Sequence, residues 1–419
     1  MTLRRYQVGG AVRDRLLGRT PKEIDWVVVG ATPDALQALG YRQVGRDFPV
    51  FLHPQTGDEH ALARTERKAG AGHRGFVVHA DPGVTLEMDL ARRDLTINAI
   101  AEDEDGRRID PYGGQRDLEA RVFRHVSAAF AEDPLRVLRL ARFAARFADL
   151  GFTLAPETAA LCQQMAARGD LAELSAERVW QETARALMES PRPSVYFETL
   201  RRVGALDGWF PELAALFGVP QRPDYHPEID TGVHTLMCID YAARQDYPLP
   251  VRVSALTHDF GKALTPPSVL PRHPGHEARG VPLVTVFCDR LRVPNRCREV
   301  ALIHTREHLL IHQVRQLRPA TLLALLERLQ ALRAGPVFTA VCQASYSDAR
   351  GRLGLEDCEY PQVAYLEAAA AVASAVQARE LMRDGVEGAA LGAALAAARV
   401  EALRTWREAG QGDAARGLG

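Results

Sequence analysis

From about residue 131 to its end this chain reads as helix, and its strand signals fall almost entirely before that point. Leu135, Leu138, Ala141, Phe143 and Phe147 recur at helical intervals, as do Val179, Leu187, Val195 and Leu200. Ahead of them, residues 26–29 and 76–78 form short β-rich runs punctuated by Gly, Pro and Asp. Such segregation predicts an α+β fold, a mixed α/β head followed by all-α modules. At 419 residues the chain needs more than one core. The Pro-rich stretch 219–227 reads as a linker or exposed junction, and the segment after it holds most of the thirteen histidines. Four parts are therefore expected: a head over 1–130, a helical neck and body over 131–225, a histidine-containing domain over 226–330 and a helical tail over 331–419. Pro319 and Pro336 should break the Ala- and Leu-rich helices near the end, and the last ten residues should fray.

Charge and cysteine usage narrow the class. The formal net charge is −1, so a surface that grips nucleic acid has to be a local patch, and Arg116, Arg121, Arg124, Arg136, Arg139, Arg142 and Arg146 crowd one short segment. The six cysteines are scattered with no CxxC pair, which argues against a zinc ribbon or a disulfide scaffold. No apolar stretch is long enough to span a bilayer and the N-terminus lacks the core of a signal peptide, so a cytoplasmic protein without a membrane partner is expected.

Two features of the head belong together. Val8-Gly9-Gly10-Ala11-Val12-Arg13-Asp14 sets two glycines between a strand-like start and an amphipathic helix, where the backbone can approach a phosphate and the helix N-terminus offers unpaired N–H groups. Alone, a Gly–Gly turn is ordinary punctuation. Glu23-Ile24-Asp25-Trp26-Val27-Val28-Val29 follows, and on a strand of period two Glu23 and Asp25 point to the same side. Two carboxylates on one face suit hard cations that clamp a triphosphate and activate a hydroxyl. The combination is far more specific than either part.

Further on, Arg92-Arg93-Asp94-Leu95-Thr96-Ile97-Asn98-Ala99 offers guanidinium donors for phosphate and, in Asp94, an acceptor for ribose hydroxyls. In Glu132-Asp133-Pro134-Leu135-Arg136, Asp133 reads as an N-cap with Pro134 at the first helical position, and Arg136, Arg139 and Arg142 continue the face of Asp133. An Asp beside an Arg presents an acceptor next to donors, a pattern complementary to the amine and ring nitrogen shared by C and A.

These motifs resemble the polymerase-β-type nucleotidyltransferases in their bacterial CCA-adding and poly(A)-adding branch, and the resemblance extends through Leu174-Ser175-Ala176-Glu177-Arg178-Val179-Trp180, the helical neck. It implies a metal-dependent enzyme that adds and repairs the 3′-terminal CCA of tRNA from CTP and ATP without a nucleic-acid template. Glu23 and Asp25 would be catalytic and hold Mg²⁺. Gly10, Arg13, Arg93, Asp94, Asp133, Arg136, Arg139 and Arg142 would bind the nucleotide. The branch usually has Asp at the first carboxylate, whereas Glu23 keeps the charge and adds a methylene. A third carboxylate is expected on a neighbouring strand, with Glu59 as candidate. Addition of all of CCA or only part, and a monomer or a homodimer, fit the sequence equally.

The histidine segment carries Thr257-His258-Asp259-Phe260-Gly261-Lys262, with His234 upstream and His273, His276, His304 and His308 downstream. Imidazoles and a carboxylate converging from helices make a transition-metal hydrolase site. The segment resembles the HD phosphohydrolase superfamily, which implies a divalent transition metal, nickel among the candidates, on His234, His258 and Asp259, and phosphatase, 2′-nucleotidase or 2′,3′-cyclic phosphodiesterase activity. The superfamily's last ligand is an Asp on a late helix. Near His308 stand only Leu309 and Leu310, which leaves Asp289 as an alternative. Two other functions share parts of this pattern: a poly(A) polymerase, and an HD phosphohydrolase whose inactive transferase head only binds RNA.

Overall fold

Strand β2 lies at the centre of the head because its valines serve both faces of a sheet. The strands in chain order are β1 Arg4–Val8, β2 Asp25–Val29, β3 Arg42–Val44, β4 Val50–Leu52, β5 Glu59–Leu62, β6 Thr65–Lys68, β7 Phe76–His79, β8 Ala101–Asp103, β9 Arg108–Ile109, β10 Val122–Phe123 and β11 Thr153–Leu154. Seven of them form a mixed sheet in the order β3-β4-β5-β2-β1-β8-β9. Val27 packs on one side with Val8, Ala63, Val84, Leu86, Leu90, Ala99 and Ala101. Val28 packs on the other with Ala31, Leu36, Tyr41, Phe51 and Leu62. A strand covered on both faces needs a continuous apolar run rather than alternation. The computed structural model describes residues 3–21, 23–44, 50–68, 76–333, 335–383 and 388–410. The terminal residues 411–419, expected to fray, lie outside the described ones.

Register brings the head motifs to one end of the sheet. β1 runs antiparallel to β2 with Val8 opposite Asp25, and β5 runs parallel to β2 with Glu59 beside Asp25. The Gly9–Gly10 turn follows Val8 directly and opens the helix Gly10–Leu16. Gly9 has φ +67°, a left-handed backbone that favours glycine. One expectation is corrected. The strand begins at Asp25, so Glu23 lies outside it, and strand alternation does not fix its direction. Both carboxylates are nonetheless exposed.

Among the described residues after the head, the regular elements are helices apart from the short β11. The chain divides into two compact units. One comprises residues 1–186 with 195–209, and the other 187–194 with 210–419. In the first, the helix Leu135–Arg146 buries Val137, Leu138, Leu140, Ala141 and Phe143, the apolar stripe its periodicity predicts. Its start departs slightly from expectation: Pro134 takes the capping position, while Asp133 Oδ1 accepts from the Leu135 N–H at 3.2 Å. In the second unit the histidine segment and the tail share one core, in which Val251, Val300 and Ile311 join Leu322, Leu326, Val341, Leu366, Leu403 and Trp406. Pro319 and Pro336 each stand at the first position of a new helix, where a missing N–H costs nothing.

Candidate functional site

Behind the Gly9–Gly10 turn lies a chain of buried ion pairs. Arg13 donates from Nε and Nη2 to Asp14 Oδ1 at 2.8 and 2.7 Å, and from Nη1 to Asn98 Oδ1 at 2.5 Å. The rings of Phe143 and Phe147 flank its guanidinium, each centroid 5.1 Å away. Asn98 Nδ2 in turn donates to Asp94 Oδ1 at 2.8 Å. Asp89, fully buried, holds both arginines of the Arg92-Arg93 pair, at 2.7 and 3.1 Å. Arg93 also reaches the Asn98 carbonyl and stands so close to Gly9 that a Cβ there would meet its Nη1 at 2.9 Å. The turn, Asp25 and Arg93 thus occupy one locality. Partial desolvation by its neighbours pushes the Asp25 carboxyl above its ordinary pKa although its surface is open to solvent, Arg93 opposes this, and Glu23 adds to it. Asp25, with Glu23 close enough to add to its shift and Glu59 in register beside it, makes an oxygen donor set fit for a hard divalent cation.

All of the expected nucleotide contacts except Gly10 are already engaged within the protein. Asp94 Oδ1 accepts from the Leu95 N–H and Asn98, and Oδ2 accepts twice from Arg139, so in this arrangement its lone pairs are spent and none remains for a ribose hydroxyl. Burial would raise its pKa, but Arg139, Asn98 and the Leu95 N–H outweigh this and hold it well below the carboxylate range. Arg136 is buried and donates to the carbonyls of Ala129 and Arg92, both at 2.6 Å. The expected pairing of Asp133 with Arg136 is therefore not formed, and Asp133 Oδ2 takes Nη2 of Arg178 at 2.8 Å. Arg142 is buried against Glu182, with Nε 2.5 Å from Oε2. Sequence reasoning overlooked Asn98, Asp89, Asp14 and Glu182. Each sits inside or beside a quoted motif, but its partner lies on another element, and spacing does not reveal that.

The second unit gathers the histidines. His234 stands on the helix Thr231–Arg244, and His258 and Asp259 close the helix Leu249–Thr257. His258 Nε2 lies 3.3 Å from Asp259 Oδ2, and His234 Nε2 lies 3.9 Å from the same oxygen. The missing acid is Asp348, on the helix Pro336–Arg350, with Oδ1 at 3.2 Å from His234 Nε2 and 3.7 Å from His258 Nε2. Asp289 is elsewhere, paired with Arg298 at the surface. A faint signal existed. Asp348 continues the buried stripe of Val341, Ala344 and Ser345, and an acid on such a stripe requires a partner.

The ring nitrogens facing away from these acids are oriented by others. His234 Nδ1 meets Glu228 Oε1 at 2.9 Å and His258 Nδ1 meets the Ala255 carbonyl at 2.9 Å, the second layer that fixes a ligating imidazole. Burial opposes charge here, yet Asp259 and Asp348 outweigh it at His258, while Cys238, Asp348 and Glu228 outweigh it at His234, so both rings titrate above the usual histidine value. The carboxyls of Asp259 and Asp348 lie well below theirs against the same burial, chiefly because of His258. His304 is the opposite case: burial, then His258, pushes it down to about 3. A buried pocket that favours positive charge between two acids and two imidazoles fits a divalent transition metal. His234, Cys238, His258 and Asp348 form one cluster able to hold an ion, and Asp259, His276 and His308 form another.

Comparison with known proteins matches family models to the head and to the helices that follow it. A model described as the poly A polymerase head domain matches residues 5–124, and one described as "Probable RNA and SrmB- binding site of polymerase A" matches residues 151–217. The multifunctional CCA protein of Pseudomonas aeruginosa PAO1 is 58% identical over 403 residues, 96% of this chain and 98% of that protein. A CCA-adding enzyme in its apo form II superposes with a TM-score of 0.62 at 20% identity, covering 96% of this chain and 88% of that one. The Thermotoga maritima CCA-adding enzyme complexed with tRNA-CCA does so with 0.59 at 19% identity, covering 96% and 87%. At that identity these structures speak for the fold, and no helix among the described residues is long and apolar enough to cross a membrane. The near full-length match at 58% identity carries the assignment: the chain belongs to the bacterial CCA-adding tRNA nucleotidyltransferases, the family of the multifunctional CCA proteins.

Proposed function

We propose that the head and neck complete and repair the 3′ end of tRNA from CTP and ATP in the cytoplasm, with the four sequence-defined parts acting as functional modules laid over the two structural units. The single observation that carries this reading is the register of β1, β2 and β5, which sets the glycine turn, Asp25 and Glu59 at one sheet end with Arg93 against the turn. Glu23 and Asp25, with Glu59 beside them, would hold Mg²⁺, whose chemistry is to activate the tRNA 3′-hydroxyl and neutralise the leaving pyrophosphate. Gly10 lets the triphosphate approach the helix N-terminus, and Arg93 and Arg139 supply donors to it. Arg13, Asp94, Arg136 and Arg142 act from behind as positioning groups, since their own hydrogen bonds stay inside the protein. Phosphoryl transfer depends on placement and charge neutralisation more than on covalent chemistry, which suits a site of acids and arginines.

The histidine cluster we read as a second, hydrolytic site for phosphomonoesters or 2′,3′-cyclic phosphates. His234, His258, Asp259 and Asp348 would hold a divalent transition metal such as nickel, which would supply a water made nucleophilic at neutral pH. Lys262, with Nζ 2.6 Å from Asp259 Oδ2, adds a positive charge for a substrate phosphate.

The test is incubation of the protein with tRNA lacking CCA, Mg²⁺ and labelled CTP or ATP, alongside Glu23→Ala/Asp25→Ala. Addition of two C and then A by the wild type alone supports the reading. Strings of A would point to a poly(A) polymerase, and no addition to a hydrolase with an inert head.

A further inference from the structure

Cys238 stands four residues beyond His234 on the helix Thr231–Arg244, so the two side chains share a face. Its Sγ lies 3.4 Å from His234 Nε2, among the groups of the histidine cluster. The cysteine is fully buried, and the chain leaving the helix Pro336–Arg350 fits tightly over it. A Cβ on Gly351 would meet Cys238 Cα and N at 2.6 and 2.7 Å, so only glycine permits this approach. It presses the segment just beyond Asp348 against the turn that carries the thiol. His234 Nδ1 is taken by Glu228 and His258 Nδ1 by the Ala255 carbonyl, so each ring turns Nε2 into the cluster. His258 is fully buried, and its Nε2 has no hydrogen-bond partner. A buried cysteine is ordinarily a small apolar filler, but here its neighbours are imidazoles and a carboxylate.

Resting on the hydrolytic reading above, we infer that Cys238 Sγ is a further ligand of the metal ion held by His234, His258, Asp259 and Asp348, and that it selects a thiophilic ion such as Zn²⁺ or Co²⁺. Donor spacing supports this. Ligand atoms on one such ion, at bonds of about 2.0–2.3 Å and near-tetrahedral angles, lie roughly 3.3–3.6 Å apart. His234 Nε2 is 3.4 Å from Cys238 Sγ and 3.2 Å from Asp348 Oδ1, and that oxygen is 3.7 Å from His258 Nε2. One ligand atom from each of His234, Cys238, His258 and Asp348 lies within 4.8 Å of the other three. When the S–metal bond forms, the S–H bond breaks and its proton leaves to solvent. Imidazoles and carboxylates alone accept a wide range of divalent ions. A thiolate among them is the soft donor that shifts the choice away from Mg²⁺ and Mn²⁺.

The experiment uses full-length protein carrying Glu23→Ala/Asp25→Ala, so that the head contributes no metal. It is stripped with chelator, loaded with one equivalent of Co²⁺ and examined by absorption spectroscopy, with bound metal counted by elemental analysis. A near-ultraviolet thiolate-to-cobalt charge-transfer band is expected beside the visible d–d bands. In Cys238→Ser the charge-transfer band should vanish while cobalt stays bound. By chelator competition, Zn²⁺ affinity in that variant should fall at least as far as the roughly 10–100-fold typical for loss of an outer-shell partner, and Mn²⁺ affinity far less. Bound cobalt without a charge-transfer band in the parent, or a band that persists in Cys238→Ser, would overturn the proposal and leave the sulfur as an S–H donor to His234. The hydrolytic reading would survive that result. No bound cobalt at all would overturn both. The parent's own spectrum decides the matter even if the variant fails to fold.

Discussion

Arg139 closes Nε and Nη2 on a single oxygen of Asp94, each at 2.8 Å, and so ties the helix Leu135–Arg146 to the segment that carries Arg93. Asp94→Asn should cost about 2 kcal/mol of stability at pH 7, the worth of charge-assisted hydrogen bonds lost at a buried acceptor. The pH dependence has a definite sign. Because the folded-state pKa is depressed, this stabilisation is fully present above the unfolded value of about 4 and is lost as pH falls below it. Urea midpoints of wild type and D94N should therefore differ at pH 7, and the gap should narrow progressively as pH falls below about 4. A constant gap would show that Asp94 is not the titrating group.

Gly9 and Gly10 should respond differently to a methyl group. At Gly9 an alanine must adopt φ +67° and its Cβ displaces Nη1 of Arg93, whereas at Gly10 the nearest contact is an ordinary 3.6 Å to Arg13. Gly9→Ala is expected to lose about 1 kcal/mol of stability and to raise KM for CTP roughly tenfold, with Gly10→Ala stable against unfolding. Steady-state kinetics and thermal melts on both variants check this.

Arg142 and Glu182 form a pair with almost no exposure on either side. Removing one partner leaves a buried charge, so Arg142→Met or Glu182→Leu alone should destabilise by about 3–5 kcal/mol, and the double variant by far less. Denaturant unfolding of the three variants tests this. If nucleotide addition returns with stability in the double variant, Arg142 serves the site only through its fold.

Asp348→Ala should abolish hydrolysis of 2′,3′-cyclic phosphates and weaken transition-metal retention, while addition to tRNA persists because the transferase residues lie in the other unit. Parallel assays on one preparation decide it. Loss of both activities would indicate a folding defect.

The head was legible because its signals are local. A valine run, a Gly–Gly turn and paired acids each sit within a few residues, and β-sheet register then brings them together. What escaped was contact across elements. Asp133 lies three residues from Arg136 and so looked like its partner, but Arg136 turns to the carbonyls of Ala129 and Arg92 while Arg178, 45 residues away, takes the carboxylate. Asp348 was hidden for the same reason, 114 residues from His234 in a stretch read as tail. Glu23 shows the limit of period-two reasoning, which holds only once a strand has begun.

That the acid completing the histidine cluster rides on the helix Pro336–Arg350 bears on how such a chain can change over generations. The same helix contributes Val341 and Ala344 to the core shared with Leu366 and Trp406. A lineage that no longer needs the hydrolase therefore cannot discard it by premature termination, because truncation before Asp348 strips the floor from the surrounding helices. Only point substitutions at the ligands can silence it quietly, so descendants that have lost the chemistry should keep the full-length scaffold as a relic.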